Sequence, residues 1–318
     1  MVKVVNWVLV LSLTLASSLI GAANTFEGMK AQALRDLKRL SSDDMAGRKP
    51  QTPGHEQAVA YISSRFAELK LQSFQPNYVH PFDYRVGLSK KIGQNIVGWI
   101  PGRDSESFIV VTAHYDHLGT KSGLIFNGAD DNASGVAAML ALAHYFRQHR
   151  PQHSIVFVAT DAEEDGLKGA RAFLERPTIA KSAIVMNLNL DMLGHPGHRR
   201  ALFVSGARRQ AALKQLVLVS AEKLETSAFR LKLGHDRIST RLSSRPESKI
   251  DWLRSSDHWP FIQNKIPYLY FGVDTHKHYH KTTDDFEQID QAFFLRAIEA
   301  VIMVSRQVDR LNLATLPN

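Results

Sequence analysis

Residues 154–165 read SIVFVATDAEED, an apolar run that passes directly into a segment with four acidic residues. The first seven of these residues, rich in β-branched side chains, predict a strand that is buried on both faces, as in a parallel sheet covered by helices. Glu163 and Glu164 stand side by side after it, and adjacent like charges repel unless a cation or a shared proton compensates. The stretch therefore predicts an α/β sheet with an acidic site at one edge.

The same alternation of short apolar runs and longer amphipathic segments continues along the chain. The predicted strands are residues 95–100, 108–112, 154–160, 183–190, 202–205 and 268–272, and the predicted helices are residues 55–69, 133–148, 167–174, 210–223 and 291–311. Alternation of this kind indicates an α/β fold with helices on both faces of the sheet. The first two strands are spaced as in a hairpin and later ones are joined by longer connections, so we expect a mixed sheet.

Polar residues follow the predicted strands, where functional residues of open α/β sheets gather. His114 and Asp116 come after the strand at 108–112, and Asp191 ends the apolar run 183–190. Three histidines at alternate positions follow the strand at 268–272: His276, His278 and His280. Their spacing does not select among them, and the sequence predicts only that His and carboxylate side chains meet at one rim.

Asp130, Asp131 and Asn132 precede the predicted helix at 133–148. Asp and Asn are favoured at the N-terminus of a helix, so capping is one interpretation of this segment. Two successive acids together with Asn exceed what one cap needs. A metal site is the second interpretation, and the choice between Asp130 and Asp131 stays open on physical grounds.

The composition excludes several classes of protein and of site. The chain has 318 residues, of which 44% are hydrophobic and 22% charged, which is typical of a globular protein. It contains no cysteine, which excludes a disulfide framework, a thiolate metal site and a thiol nucleophile. No G-x-S-x-G segment occurs, which argues against a serine hydrolase. Any metal must therefore be held by His, Asp and Glu.

The formal net charge is +8, and the excess of basic residues clusters between Arg230 and Arg254. We interpret this segment as a surface insertion that would favour anionic substrates. An excess of this size is ordinary for a solvated surface, so no nucleic-acid partner is expected.

The N-terminus has the pattern of an export signal. Lys3 is followed by an apolar run over residues 4–20 and by the small residues Gly21, Ala22 and Ala23. This pattern predicts a signal peptide over residues 1–23, cleaved near Ala23, and one domain over residues 24–318. The expected location is periplasmic or secreted, with no stable membrane span after cleavage, and an uncleaved anchor is the alternative.

Five segments, in their order and spacing, resemble the M28 family of co-catalytic zinc metallopeptidases. They are AHYDHLG, GADDNASGVAA, ATDAEEDGLKGA, NLDM and YHKTTDD. The segments GRKPQTPGHEQAVAYI and SSDHWPFIQNKIPYLYFG also resemble bacterial members, so the resemblance covers about residues 46–290. It implies a three-layer α/β/α sandwich around a mixed, mostly eight-stranded sheet.

The resemblance also implies two Zn²⁺ ions per chain and their ligands. Asp131 would bridge the two ions. Glu164 and His280 would complete one zinc position, and His114 and Asp191 the other. Three carboxylates and two imidazoles would leave room for water, as a catalytic zinc site requires.

Further roles follow from the same resemblance. Glu163 would be the general base and acid, Asp116 would orient His114, and Tyr279 would stabilise the oxyanion of the tetrahedral species. The peptide bond after Asp131 would be cis.

The activity implied by the resemblance is removal of N-terminal residues from peptides that have a free N-terminus. A carboxypeptidase and a glutaminyl cyclase are alternatives within the same fold. The cyclases typically work with one zinc ion, which the complete set of five ligands disfavours. A receptor-like member without catalysis is a further alternative, and the intact ligand set argues against it as well.

Overall fold

The computed structural model describes residues 26–197, 199–234, 236 and 251–313. The predicted signal peptide lies outside these residues, as does the part of the basic segment at 237–250. Within the described ranges, no helix combines the length and the apolar character that crossing a membrane requires.

The helices and strands alternate along the described chain, beginning with a helix. The helices are α1 (residues 26–40), α2 (Pro53–Glu68), α3 (Gly135–Gln148), α4 (Lys168–Glu175), α5 (Ala211–Leu224), α6 (His258–Gln263) and α7 (Gln291–Asp309). The strands are β1 (Gln72–Ser73), β2 (Val79–Val86), β3 (Ser89–Ile100), β4 (Asp104–His114), β5 (Gly119–Lys121), β6 (Leu124–Phe126), β7 (His153–Thr160), β8 (Ile184–Leu190), β9 (Ala201–Ser205), β10 (Arg230–Leu233) and β11 (Tyr268–Gly272).

Nine of these strands form one mixed sheet. Its order is β1-β3-β7-β4-β8-β11-β9-β10, and β2 also pairs with β3. The central strands β7, β4, β8 and β11 run parallel to one another, whereas β3 is antiparallel to β7 and β9 is antiparallel to β11. The mixed sheet is confirmed, and β1, which is only two residues long, brings the number of strands above the expected eight.

Helices cover both faces of this sheet. Alternate residues of a strand point to opposite faces, and those of β4 and β7 enter two different apolar clusters. Val110 and Val156 pack with residues of α4 and α6, whereas Val111 and Phe157 pack with residues of α1, α2, α3, α5 and α7. The three-layer α/β/α arrangement is therefore confirmed.

The six predicted strands and five predicted helices are all present within a few residues of their expected positions. The interpretation of the basic segment as a surface insertion is wrong at its start. Residues 230–233 form β10, which pairs in parallel with β9. Leu231 is buried while Arg230 and Lys232 are exposed, so this strand alternates as a half-buried edge strand does.

Candidate metal centre

The carboxyl ends of four parallel strands bring the candidate residues to one edge of the sheet. β4 ends at His114, and Glu163 and Glu164 follow β7 after two residues. Asp191 directly follows β8, and the loop after β11 carries His280. Because these strands are parallel neighbours, their ends meet in space. The sequence-based expectation that the His and carboxylate side chains converge at one rim is confirmed.

One group of possible ligands forms around His114. Its Nε2 atom lies 3.4 Å from Oδ1 of Asp131 and 3.5 Å from Oδ1 of Asp191. All three residues are buried. The other ring nitrogen, Nδ1, is 3.2 Å from the backbone carbonyl of Asp116 and 3.8 Å from its carboxylate. The ring of His114 is therefore held from behind while its Nε2 faces two carboxylates.

A second group forms around Glu164 and the other oxygen of Asp131. Nε2 of His280 lies 3.0 Å from Oδ2 of Asp131 and 3.4 Å from Oε1 of Glu164. His117 reaches the same atoms, with its Nδ1 at 2.8 Å from Glu164 and 3.8 Å from Asp131. Sequence reasoning missed His117, and its signal was the second His of AHYDHLG, three residues after His114. Two imidazoles, of the buried His117 and the partly exposed His280, thus face the carboxylates of Asp131 and Glu164.

The donors in both groups fit zinc. Ligands at 2.0–2.1 Å from a tetrahedral zinc lie roughly 3.3 Å apart, and the four contacts that His114 and His280 make with carboxylates span 3.0–3.5 Å. Several of the buried donor atoms have no hydrogen-bond partner, which is costly unless a cation is bound. Oδ1 of Asp191 is one of these atoms. Oε1 of Glu164 and Nδ1 of His117 lie 2.8 Å apart, but without the geometry of a hydrogen bond. The residues therefore fit one ion on each side of Asp131.

The turn that carries Asp131, Ala129–Ser134, is fixed from two sides. The carboxylate of Asp284 accepts hydrogen bonds from the backbone amides of Asp131 and of its predecessor, each at 3.0 Å. The peptide bond between Asp131 and Asn132 is cis, as the resemblance implies. The side chain of Asn132 donates to the carbonyl of Leu190 at the end of β8, at 3.0 Å. The sequence suggested no role for Asp284 and a capping role for Asn132, whose side chain does accept a hydrogen bond from the amide of Gly135 at 2.9 Å. Asn132 also joins the turn to the end of β8, and Asp284 joins it to the loop after β11.

The structure distinguishes Asp131 from Asp130, and His280 from the two histidines before it, which the spacing of the sequence could not do. Asp131 faces both groups, whereas Asp130 accepts a hydrogen bond from the amide of Gly194 and lies 2.9 Å from His276. Of the three histidines after β11, His280 contacts the group around Glu164. His278 instead contacts the hydroxyl of Thr283, at 2.9 Å.

A pocket of about 50 Å³ opens onto both groups. Of the eight residues to which the family resemblance assigns a role, all but Asp116 line it. The lining residues are His114, Asp131, Glu163, Glu164, Asp191, Met192, Trp252, Ser255, Tyr270, Val273, Thr275, Tyr279 and His280. Asp116 lies behind the pocket, where its two carboxylate oxygens accept hydrogen bonds from the amides of Glu163 at 3.0 Å and Glu164 at 3.3 Å.

The two adjacent glutamates experience different environments. Burial raises the pKa of Glu163 well above its usual range, and the nearby carboxylates of Glu164 and Asp191 add to the rise. Burial also acts to raise the pKa of Glu164, but its contacts with His117 and His280 outweigh this effect and lower the pKa to about 2. Neighbouring carboxyl groups whose pKa values are driven apart are suited to different roles in one site.

The model of peptidase family M28 matches residues 95–305, about two thirds of the chain. This chain belongs to peptidase family M28. The match includes every residue that contributes to the two groups. Several relatives are described as probable zinc metalloproteases, so membership implies zinc as the metal.

Relatives of this M28 chain come from bacteria and fungi. It is 27% identical over 187 residues to the alkaline phosphatase isozyme conversion protein of Escherichia coli. The alignment covers 54% of this chain and 53% of the relative. It is 36% identical over 122 residues to a vacuolar membrane protease of Schizophyllum commune. This alignment covers 35% of this chain and 13% of the relative. The chain spans at most 60% of the length of any of eight curated relatives.

Solved structures share the fold of this M28 chain. A zinc aminopeptidase from Bacillus subtilis superposes with a TM-score of 0.69 at 17% identity, over 90% of this chain and 97% of that one. A glutaminyl cyclase from Porphyromonas gingivalis also gives a TM-score of 0.69, at 19% identity, over 87% of this chain and 98% of that one. Since an aminopeptidase and a cyclase match equally well, the fold does not select the reaction.

Proposed function

We propose that this M28 member is an aminopeptidase that holds two zinc ions and removes N-terminal residues from peptides. The observation that carries the proposal is the position of Asp131, which presents Oδ1 to the group around His114 and Oδ2 to the group around Glu164. Both groups open into the pocket that Glu163 lines. When bound, the two ions would supply Lewis acidity that activates water at neutral pH and stabilises the charge developing on the scissile carbonyl.

Five residues would hold the ions in this proposal. Asp131 would contact both, with His114 and Asp191 on one side and Glu164 and His280 on the other. His117 offers a further donor on the Glu164 side.

Glu163 would move the proton. Its carboxyl lines the pocket and belongs to neither of the two groups, so it is free to take a proton from the attacking water and return it to the leaving amine. Asp116 would position it, because the Asp116 carboxylate accepts a hydrogen bond from the amide of Glu163. Tyr279 lines the same pocket, and its hydroxyl would donate a hydrogen bond to the oxyanion.

The lining of the pocket argues against a substrate that is held by its C-terminal carboxylate. None of the lining residues among those described is Lys or Arg. Recognition of a C-terminal carboxylate by side chains requires such a cationic group. The lining therefore supports an aminopeptidase over a carboxypeptidase.

A panel of chromogenic aminoacyl substrates tests the proposed reaction. We expect the zinc-loaded enzyme to release the chromophore from substrates with a free α-amine and to leave the matched N-acetyl substrates intact. Failure on every free-amine substrate would contradict the aminopeptidase assignment. Cyclisation of an N-terminal glutamine, or release of a C-terminal residue, as the sole activity would assign the corresponding alternative instead.

We also infer that the enzyme acts outside the cytoplasm. The inference rests on the signal-peptide pattern of residues 1–23, which precede the described part of the chain. Peptides in the periplasm or the surrounding medium would then be the substrates.

A further inference from the structure

The segment around Arg48 belongs to GRKPQTPGHEQAVAYI, which the proposed mechanism leaves without a role. Arg48 is wholly buried, and it forms no ion pair with any described residue. A buried guanidinium without a carboxylate partner is expensive and requires that its donors be satisfied by other acceptors. Its hydrogen bonds therefore indicate what it does.

Arg48 donates hydrogen bonds to four backbone carbonyls from three parts of the chain. Nε donates to Tyr115 at 2.7 Å, and Nη2 donates to Gly128 at 2.9 Å. Nη1 donates to Leu40 and to Asn127, each at 2.6 Å. One planar group thus joins the end of α1, the exit of β4 and the loop that follows β6.

Two of these three parts carry residues of the metal centre. Tyr115 directly follows His114 in the chain. Because Arg48 donates to the carbonyl of Tyr115, it fixes the backbone next to His114. Gly128 precedes Asp131 by three residues and packs directly on it. A Cβ at Gly128 would lie 2.1 Å from the carbonyl oxygen of Asp131.

The segment that contains Arg48 packs closely against the backbone around the metal centre. Gly47 has φ +69°, and a Cβ there would lie 2.3 Å from the carbonyl oxygen of Phe126. A second contact holds the same strand exit, because the hydroxyl of Tyr115 lies 2.9 Å from Nε2 of His55, and this nitrogen is 3.0 Å from the carboxylate of Asp161. The segment containing residues 47–55 thus contacts the chain next to His114, near Asp131 and ahead of Glu163.

The charge of Arg48 also suits its place. Burial lowers its pKa to about 10, and the carboxylates of Asp131, Asp284, Asp116 and Glu164 act to raise it. The guanidinium therefore stays protonated at neutral pH and offsets part of the negative charge that the site gathers.

We propose that Arg48 is a positioning residue of the metal centre, whose guanidinium fixes the backbone beside His114 and ahead of Asp131 so that the two zinc positions are preorganised. The inference rests on the proposed metal centre. Groups that hold ligands in place, without touching the metal, typically change metal affinity about 10–100-fold when they are replaced.

Two variants of Arg48 and a matched control test the inference. Arg48→Lys keeps the charge but not the planar fork, and Arg48→Met removes both. Arg65→Met is the control, because Arg65 is also largely buried but pairs with Asp36 on α1. Zinc dissociation constants, measured by competition with a chromophoric chelator, and thermal unfolding of each metal-free variant separate site effects from fold effects.

We expect both Arg48 variants to bind zinc at least about tenfold more weakly than the wild type, with the lysine variant retaining more affinity. Arg65→Met should lower the melting temperature and leave the zinc affinity within twofold of the wild type. Wild-type affinity in both Arg48 variants would overturn the inference, as would an equal loss in Arg65→Met.

Failure of both Arg48 variants to fold with zinc present, while Arg65→Met folds, would also overturn it, since Arg48 would then serve the fold and not the site. A wild-type chain that binds no zinc would refute the proposed function itself, and the inference would fall with it.

Discussion

We expect the Glu163→Gln variant to retain both zinc ions while its turnover falls by about 10²–10⁴-fold. Glutamine keeps the shape of the side chain and its place in the pocket but accepts no proton at neutral pH. Glu163 belongs to neither group of candidate ligands, so its loss should leave metal binding intact. Steady-state kinetics with a free-amine substrate, together with zinc analysis of the same sample, measure both quantities.

Glu164→Gln is the matched control for this experiment. It is the same chemical change one residue further along the chain, but Oε1 of Glu164 contacts both His117 and His280. Zinc occupancy should therefore fall, and added zinc should restore part of the activity. Rescue by zinc of Glu163→Gln but not of Glu164→Gln would show that the two roles are reversed. Normal turnover in both variants would show that the site is misplaced.

The second large effect concerns the shared carboxylate. We expect Asp131→Ala to lose both zinc ions and to reduce activity to the uncatalysed background. Asp131 contributes one oxygen to each group, so its removal weakens two positions at once. Metal analysis after gel filtration, with activity assayed at added zinc, measures the loss.

Asp130→Asn is the control for this change. Asp130 bonds to the amide of Gly194 and contacts His276, so its replacement should reduce stability by about 1–3 kcal/mol while leaving zinc content unchanged. If Asp130→Asn loses zinc and Asp131→Ala keeps it, the assignment of the bridging residue is wrong.

The central sheet could be predicted because its inner strands are buried on both faces. All eight residues of β7 are buried, so its apolar run stands out from the sequence. Once parallel order is expected, convergence of the residues after β4, β7, β8 and β11 follows from topology. Of the strands that were not predicted, β1, β2 and β10 lie at the edges of this sheet, where more residues are exposed, and β5 and β6 form a separate two-stranded sheet. In β2, Phe82 is buried between the exposed Pro81 and Asp83, and such a pattern is weaker in a short segment.

The details of the site depend on contacts between distant parts of the chain. The acceptors of Arg48 at Tyr115, Asn127 and Gly128 are 67, 79 and 80 residues away, and no local pattern indicates them. His117 also could not be assigned, because the direction of its ring depends on the path of the chain after β4. Sequence motifs thus supplied candidate ligands, while the structure supplied the residues that hold them.

Zinc content of the wild-type protein is the most direct test of the metal centre. The chain should be purified without added chelator, dialysed against zinc-free buffer and analysed by elemental mass spectrometry, with activity measured on the same sample. We expect two zinc ions per chain and loss of activity when a chelator removes them. One zinc ion per chain with full activity would contradict the proposed two-zinc centre.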